Sequence, residues 1–141
     1  MRYQMNLLNK IPEFCLSHWL LRIPLAIVFI QQGLDKIPVD AETAEAMELP
    51  YLVWWFVAWG ELGAGLGLIA GGVMIAKLWD DFIRAAGDLL TRFSGIVVCS
   101  IMTGVIWTAQ PESLTEVLLY DNFHVLLWVG GLFFALRGSR T

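Results

Sequence analysis

The sequence predicts an all-α membrane protein, a bundle of four transmembrane helices, on the strength of three observations. The 141-residue chain is 57% hydrophobic and has a mean hydropathy of +0.65, which is too apolar for an ordinary soluble domain. The apolar residues fall into four long segments, each close to the ~20 residues that a spanning helix needs. The chain is too short for more than one compact unit, so we expect a single integral membrane domain over residues 1–141.

The predicted spans cover residues 16–37, 51–75, 91–109 and 117–137. Pro24 lies near the start of the first, where it removes one backbone hydrogen bond and bends the helix unless neighbouring groups compensate. The connection between the second and third spans, residues 77–90, repeats apolar side chains with helical periodicity among charged ones. There we expect a short amphipathic helix on the membrane interface, or a cytoplasmic extension of the third span.

Charge is distributed unevenly among the connections. Residues 38–50 and 110–121 are acidic and contain no Lys or Arg, whereas most of the nine basic residues lie at the opposite ends of the helices. The positive-inside rule therefore predicts two cytoplasmic termini, with both acidic connections outside. Basic runs with interleaved aromatic residues are absent, so nucleic acid is not an expected partner.

The second span combines a glycine stripe with one carboxylate. Gly63, Gly67 and Gly71 recur every fourth residue, so a neighbouring helix can approach closely on that face. Glu61 lies off the stripe, about ten residues into the span and thus near mid-membrane. A carboxyl group at that depth must be ion-paired, protonated or beside a wet cavity. The depth of Glu61 favours a partner from the outer half of the membrane, either Lys36 or His124.

Several cofactor chemistries fit this sequence poorly. The two histidines, His18 and His124, begin helices on opposite sides of the membrane, so they cannot sandwich a haem. The two cysteines, Cys15 and Cys99, are too few and too distant to hold an iron–sulfur cluster. We therefore expect no haem, iron–sulfur or metal site.

Three stretches together resemble the DoxX family of small four-helix bacterial membrane proteins. They are LLRIPLAIVFIQQGLDKI, GELGAGLGLIAGG, and a last helix entered through Asp121-Asn122 and closed by Leu136-Arg137-Gly138. The resemblance covers roughly the whole chain, and it implies interest in Arg22, Gly33, Lys36, Glu61 and Asn122. The family is named after a thiosulfate:quinone oxidoreductase subunit. The resemblance therefore implies a place in the bacterial cytoplasmic (inner) membrane and a link to membrane redox complexes.

Three functional hypotheses stay open. In the first, a redox subunit binds a quinone or another lipid-soluble substrate in an outer-leaflet cavity, with Glu61 and His124 as proton groups and a partner carrying electrons. Its binding residues would be Arg22, Gly33, Lys36, Trp59, Trp107 and Asn122. In the second, the chain is a non-catalytic structural or assembly subunit, and Glu61 only fixes helix packing through an ion pair. In the third, it is a small transporter that functions as a homo-oligomer.

Overall fold

The structure, a computed structural model, describes residues 16–139. Within this range the chain forms six helices and no strand. In chain order the helices are α1 Trp19–Asp35, α2 Ala41–Ala46, α3 Tyr51–Met74, α4 Asp81–Thr108, α5 Leu114–Tyr120 and α6 Asn122–Arg137.

Two of the four predicted spans are long and apolar enough to cross a bilayer as single helices, namely α3 and α4. The first predicted span, residues 16–37, contains α1, whose 17 residues fall somewhat short of the ~20 that a span needs. The last, residues 117–137, is not one helix, because α5 and α6 meet at 98°. Asp121 at this break has a non-helical backbone, φ −122° and ψ 36°. Short polar side chains such as Asp and Asn favour breaks of this kind, since they compete for backbone hydrogen bonds.

The prediction of a separate amphipathic helix between the second and third spans is wrong. Residues 81–90 instead form the first part of α4, a continuous helix of 28 residues, as the alternative of an extended third span anticipated. Asp80 caps its start by accepting a hydrogen bond of 2.9 Å from the Ile83 N–H. No proline follows in α4, so the helix continues without interruption into the apolar segment.

The four longest helices pack in antiparallel order, with α3 between α1 and α4, and α6 against α4. Glycines on two faces of α3 allow this close packing. A Cβ at Gly67 would collide with Ser94 of α4, and one at Gly65 would lie 2.8 Å from the Ala26 carbonyl oxygen of α1. The predicted contact face is thereby confirmed at Gly67, whereas Gly63 of the same stripe has open space beside it.

Large apolar side chains cover the outside of the bundle, among them Leu66, Phe93 and Leu126, each more than half exposed. Such a surface is typical of contact with lipid rather than water. The chain is therefore a membrane protein. Antiparallel packing places the start of α1 and the end of α6 together at one end of the bundle, the Arg22 end. The opposite end, the Glu61 end, holds the end of α1 and the start of α6.

Candidate functional site: a cavity at the Glu61 end

A cavity of about 530 Å³ lies at the Glu61 end and is lined by α1, α3, α4 and α6 together with the connection after α2. Its walls are mainly apolar. The polar side chains that line it are those of Gln32, Lys36, Trp54, Glu61, Ser100, Thr108 and His124. A mostly apolar pocket with a few convergent polar groups is the usual form of a small-molecule site, and this volume lies within the common range.

A buried ion pair crosses the cavity wall between α1 and α3. Lys36 Nζ lies 2.8 Å from Glu61 Oε2, and the two side chains are 15% and 3% exposed. Lys36 also donates to the Gln32 carbonyl oxygen at 3.1 Å, and its Nζ lies 5.5 Å from the centre of the Trp54 ring. Glu61 therefore has one of the two partners expected from its depth, Lys36 rather than His124.

Two buried polar atoms beside the cavity have no hydrogen-bond partner among the described residues: Trp54 Nε1 and Glu61 Oε2. Oε2 is held by the Lys36 ammonium in the ion pair, so of these two atoms Trp54 Nε1 is the one without a polar partner among the described residues. Trp54 Nε1–H is a donor only, and the Trp54 side chain is 5% exposed, so water reaches it poorly. Buried polar groups are nearly always paired in proteins, which makes Trp54 Nε1 a candidate for a ligand contact.

His124 lines the same cavity from the start of α6. Its Nδ1 lies 2.5 Å from Asp121 Oδ1, the residue at the break between α5 and α6. An ionised carboxylate only accepts hydrogen bonds, so this contact places a proton on Nδ1 and orients the ring.

Arg22 lies at the other end of the bundle and does not line this cavity. It is completely buried. Its guanidinium donates to His18 Nδ1 at 3.1 Å, to the Leu68 carbonyl oxygen, to Thr91 Oγ1 at 3.0 Å and to Ser139 Oγ at 3.1 Å. The Phe134 ring covers it at 4.8 Å. These partners are neutral. Apart from His18, which directly precedes α1, they come from α3, α4 and the residues after α6, so Arg22 joins all the long helices at that end.

Asp88 extends this network to the end of α6. It accepts from the Ser139 N–H at 2.7 Å and from Arg92 Nε at 3.0 Å. Arg92 in turn donates to the carbonyl oxygens of Ala135, Leu136 and Arg137, which the helix end leaves without helical partners. The Arg22 end is therefore a packed and hydrogen-bonded junction.

Comparison with known proteins finds a family match in the first part of the chain. The DoxX family model matches residues 18–74, which include Arg22, Lys36, Trp54 and Glu61. This region belongs to the DoxX family. No curated protein and no solved structure matches the chain.

The DoxX region runs from the start of α1 to the end of α3 and thus contains the whole Lys36–Glu61 pair. The resemblance seen in the sequence is confirmed over this range. The other cavity walls, from α4 and α6, lie outside the matched residues.

The remaining residues predicted to bind a ligand lie outside the cavity wall. Gly33 is in the contact between α1 and α3, where a Cβ would lie 2.7 Å from the Leu62 backbone nitrogen. Trp59 is 45% exposed on the outside of the bundle, and Asn122 is exposed at the start of α6. Trp107 is 80% exposed and lines a separate groove with α5. Helix phase explains these positions, because similar depth does not place side chains on one face.

Trp54 was absent from the residues predicted to form the site. It precedes Glu61 by seven residues, or two helical turns, so the two side chains share one face of α3. This spacing was visible in the sequence. The cluster of neighbouring tryptophans obscured it, since all of them fit an interfacial aromatic belt equally well.

Proposed function

We propose that this protein binds a lipid-soluble molecule with a polar head, with a quinone as the first candidate, and serves as a membrane subunit of a redox system. The observation that carries the proposal is the buried Lys36–Glu61 pair in the wall of an otherwise apolar cavity. A charged pair in the hydrophobic part of a membrane protein is costly, which favours a functional role for it.

The cavity groups suit an oxygen-bearing ring. Trp54 Nε1 is a donor for a carbonyl oxygen, Lys36 Nζ places a positive charge beside it, and the Glu61 carboxylate is an acceptor for a hydroxyl proton. Apolar side chains such as Phe29, Met102 and Leu127 would surround the ring itself. This set of groups matches both the oxidised and the reduced form of a quinone.

In this proposal Glu61 and His124 handle the protons of the reaction. Reduction of a quinone consumes a pair of electrons and a pair of protons, so a partner protein would supply the electrons. Glu61 and His124, both in the cavity wall, would pass protons to the reduced oxygens. The proposed subunit therefore acts with an electron-carrying partner in the membrane.

The charge pattern supports a location in the bacterial cytoplasmic (inner) membrane with both termini in the cytoplasm. The acidic connections before α3 and before α6 would then lie outside, and the Glu61 end of the bundle would face that side. Reporter fusions at both termini check this orientation, and reporters on opposite sides of the membrane would contradict it.

Mass spectrometry tests the ligand. The protein is purified in nanodiscs formed directly from its native membrane, and lipids are extracted and quantified. We expect isoprenoid quinone to be enriched relative to phospholipid, compared with the double variant Lys36→Met/Glu61→Met. Equal quinone content in the two samples would contradict the proposal and favour a purely structural subunit.

A further inference from the structure

The cavity reaches the outer surface of the bundle on several sides, and one of these lies between α3 and α4, on the lipid-facing surface. Three of its lining residues are exposed along this seam: Phe56 on α3, and Ser100 and Gly104 on α4. Phe56 alone is 61% exposed. The same cavity therefore reaches from the buried Glu61 carboxylate to the outer surface of the bundle.

Residue size explains why the seam between α3 and α4 is closed from Gly71 to Gly60 and opens beyond it, beside Gly104. Toward the Arg22 end, Gly67 and Gly71 bring α3 against Ser94 and Thr91 of α4 with no room for a side chain. Toward the Glu61 end, a Cβ on Gly104 would meet nothing within 4 Å. The missing side chain at Gly104 leaves a gap in the wall of the cavity.

Trp54 provides an independent reason to place a ligand behind this gap. Its Nε1 is buried without a hydrogen-bond partner among residues 16–139, although the side chain lines the cavity. An unpaired buried donor is destabilising, and an oxygen atom of a ligand would remove that cost. We therefore expect a ligand that carries an acceptor oxygen and that can pass through an apolar opening.

We infer that the ligand enters and leaves the cavity sideways from the bilayer, through the gap beside Gly104, and that Trp54 Nε1 donates a hydrogen bond to an oxygen of its head. The ligand class is a membrane-dissolved molecule with a carbonyl-bearing head and an apolar tail that remains in the lipid. This inference rests on the proposed function and adds the entry route and the donor that recognises the head.

A pair of glycine variants tests the route. Gly104→Phe would close the gap, whereas Gly63→Phe places the same side chain in open space on α3, away from the cavity. Each protein is reconstituted in nanodiscs, and binding of decylubiquinone is followed by quenching of tryptophan fluorescence. We expect Gly104→Phe to slow binding and to weaken it at least tenfold, with Gly63→Phe equal to the wild type.

The outcomes separate the two proposals. If the wild type binds decylubiquinone and Gly104→Phe binds it at the same rate and affinity, sideways entry is wrong while the proposed function stands. If the wild type does not bind it, and its purified form carries no isoprenoid quinone, the proposed function fails and this inference fails with it. Melting temperatures in detergent must agree between both glycine variants, which separates blocked entry from misfolding.

Trp54→Phe tests the donor, because it keeps an aromatic ring and removes only the indole N–H. We expect affinity for decylubiquinone to fall about five- to tenfold, equivalent to about 1–1.4 kcal/mol, with an unchanged melting temperature. Because Trp54 itself contributes to the quenching signal, its affinity is measured by equilibrium dialysis with radiolabelled decylubiquinone. Unchanged affinity would remove the Trp54 hydrogen bond from the inference.

Discussion

The two ends of the bundle both bury a basic side chain, but they surround it differently. At the Arg22 end the guanidinium is fully covered, and its hydrogen bonds reach three neighbouring parts of the chain. At the Glu61 end Lys36 is paired with a carboxylate beside a cavity, and Trp54 Nε1 is left without a partner among the described residues. A buried charge with a complete set of partners stabilises packing, whereas an incomplete set next to a cavity is suited to a ligand.

The cost of each arrangement follows from the low dielectric constant inside the bundle. Arg22 cannot lose its proton at physiological pH, so its neutral partners must replace water completely. Lys36 and Glu61 compensate each other, and Lys36 still reaches Gln32 near the surface. Lys36 has acceptors for its three N–H groups, so the remaining hydrogen-bonding capacity of the pair lies on the Glu61 carboxylate.

The largest effect on stability is expected from Arg22→Met. It removes every hydrogen bond of the guanidinium and leaves Thr91, Ser139 and the Leu68 carbonyl oxygen short of a donor. We expect a loss of about 3–5 kcal/mol in the free energy of unfolding, measured by thermal denaturation in detergent. Arg84→Met is the control, because Arg84 is exposed and its nearest acid, Asp81, is exposed as well. Equal effects of the two substitutions would contradict the structural role of Arg22.

The second effect concerns the Lys36–Glu61 pair and distinguishes stability from ligand binding. Glu61→Gln leaves the buried ammonium without its counter-charge, so we expect a loss of about 3 kcal/mol. Lys36→Met/Glu61→Met replaces both charges with apolar side chains of similar size, and its stability should return to nearly that of the wild type. The double variant should nevertheless lose decylubiquinone binding. Full binding by a stable double variant would show that the pair only fixes packing.

The smallest effect concerns the packed part of the seam between α3 and α4. Gly67→Leu forces a side chain into Ser94, so overpacking should cost about 1–3 kcal/mol. Gly63→Leu, on the same helix with open space beside it, should be close to neutral. The two variants are compared by melting temperature and by size-exclusion chromatography in detergent. Identical behaviour would place Gly67 on a lipid-facing surface.

The sequence predicted those features that depend on local composition and periodicity. Hydropathy located the apolar segments, the four-residue glycine spacing predicted the contact at Gly67, and depth placed Lys36 among the partners of Glu61. It did not predict the bend at Asp121, because a break of one residue leaves the hydropathy of the segment unchanged. The sequence also did not decide whether residues 81–90 form a separate helix or the first part of α4. A charged first part and an apolar second part can belong to one helix.

The candidate site was only partly predictable for a related reason. Depth along the membrane can be estimated from residue counts, but the face of each helix that points inward depends on packing between helices. Glu61, Lys36 and His124 share both depth and a common cavity. Trp59 and Asn122 share the depth but point outward. Arg22 lies at the opposite end of the bundle, where its hydrogen bonds connect the long helices.

Photolabelling of the wild-type protein with an azido-substituted ubiquinone analogue tests most directly whether the Glu61 end alone holds a ligand. The protein is labelled in nanodiscs, and the modified residues are mapped by mass spectrometry with and without excess decylubiquinone. We expect labels that decylubiquinone displaces on the cavity walls, in residues 53–61 of α3 and 100–108 of α4. Displaceable labels concentrated around Arg22, or labels spread evenly over the lipid-facing surface, would contradict it.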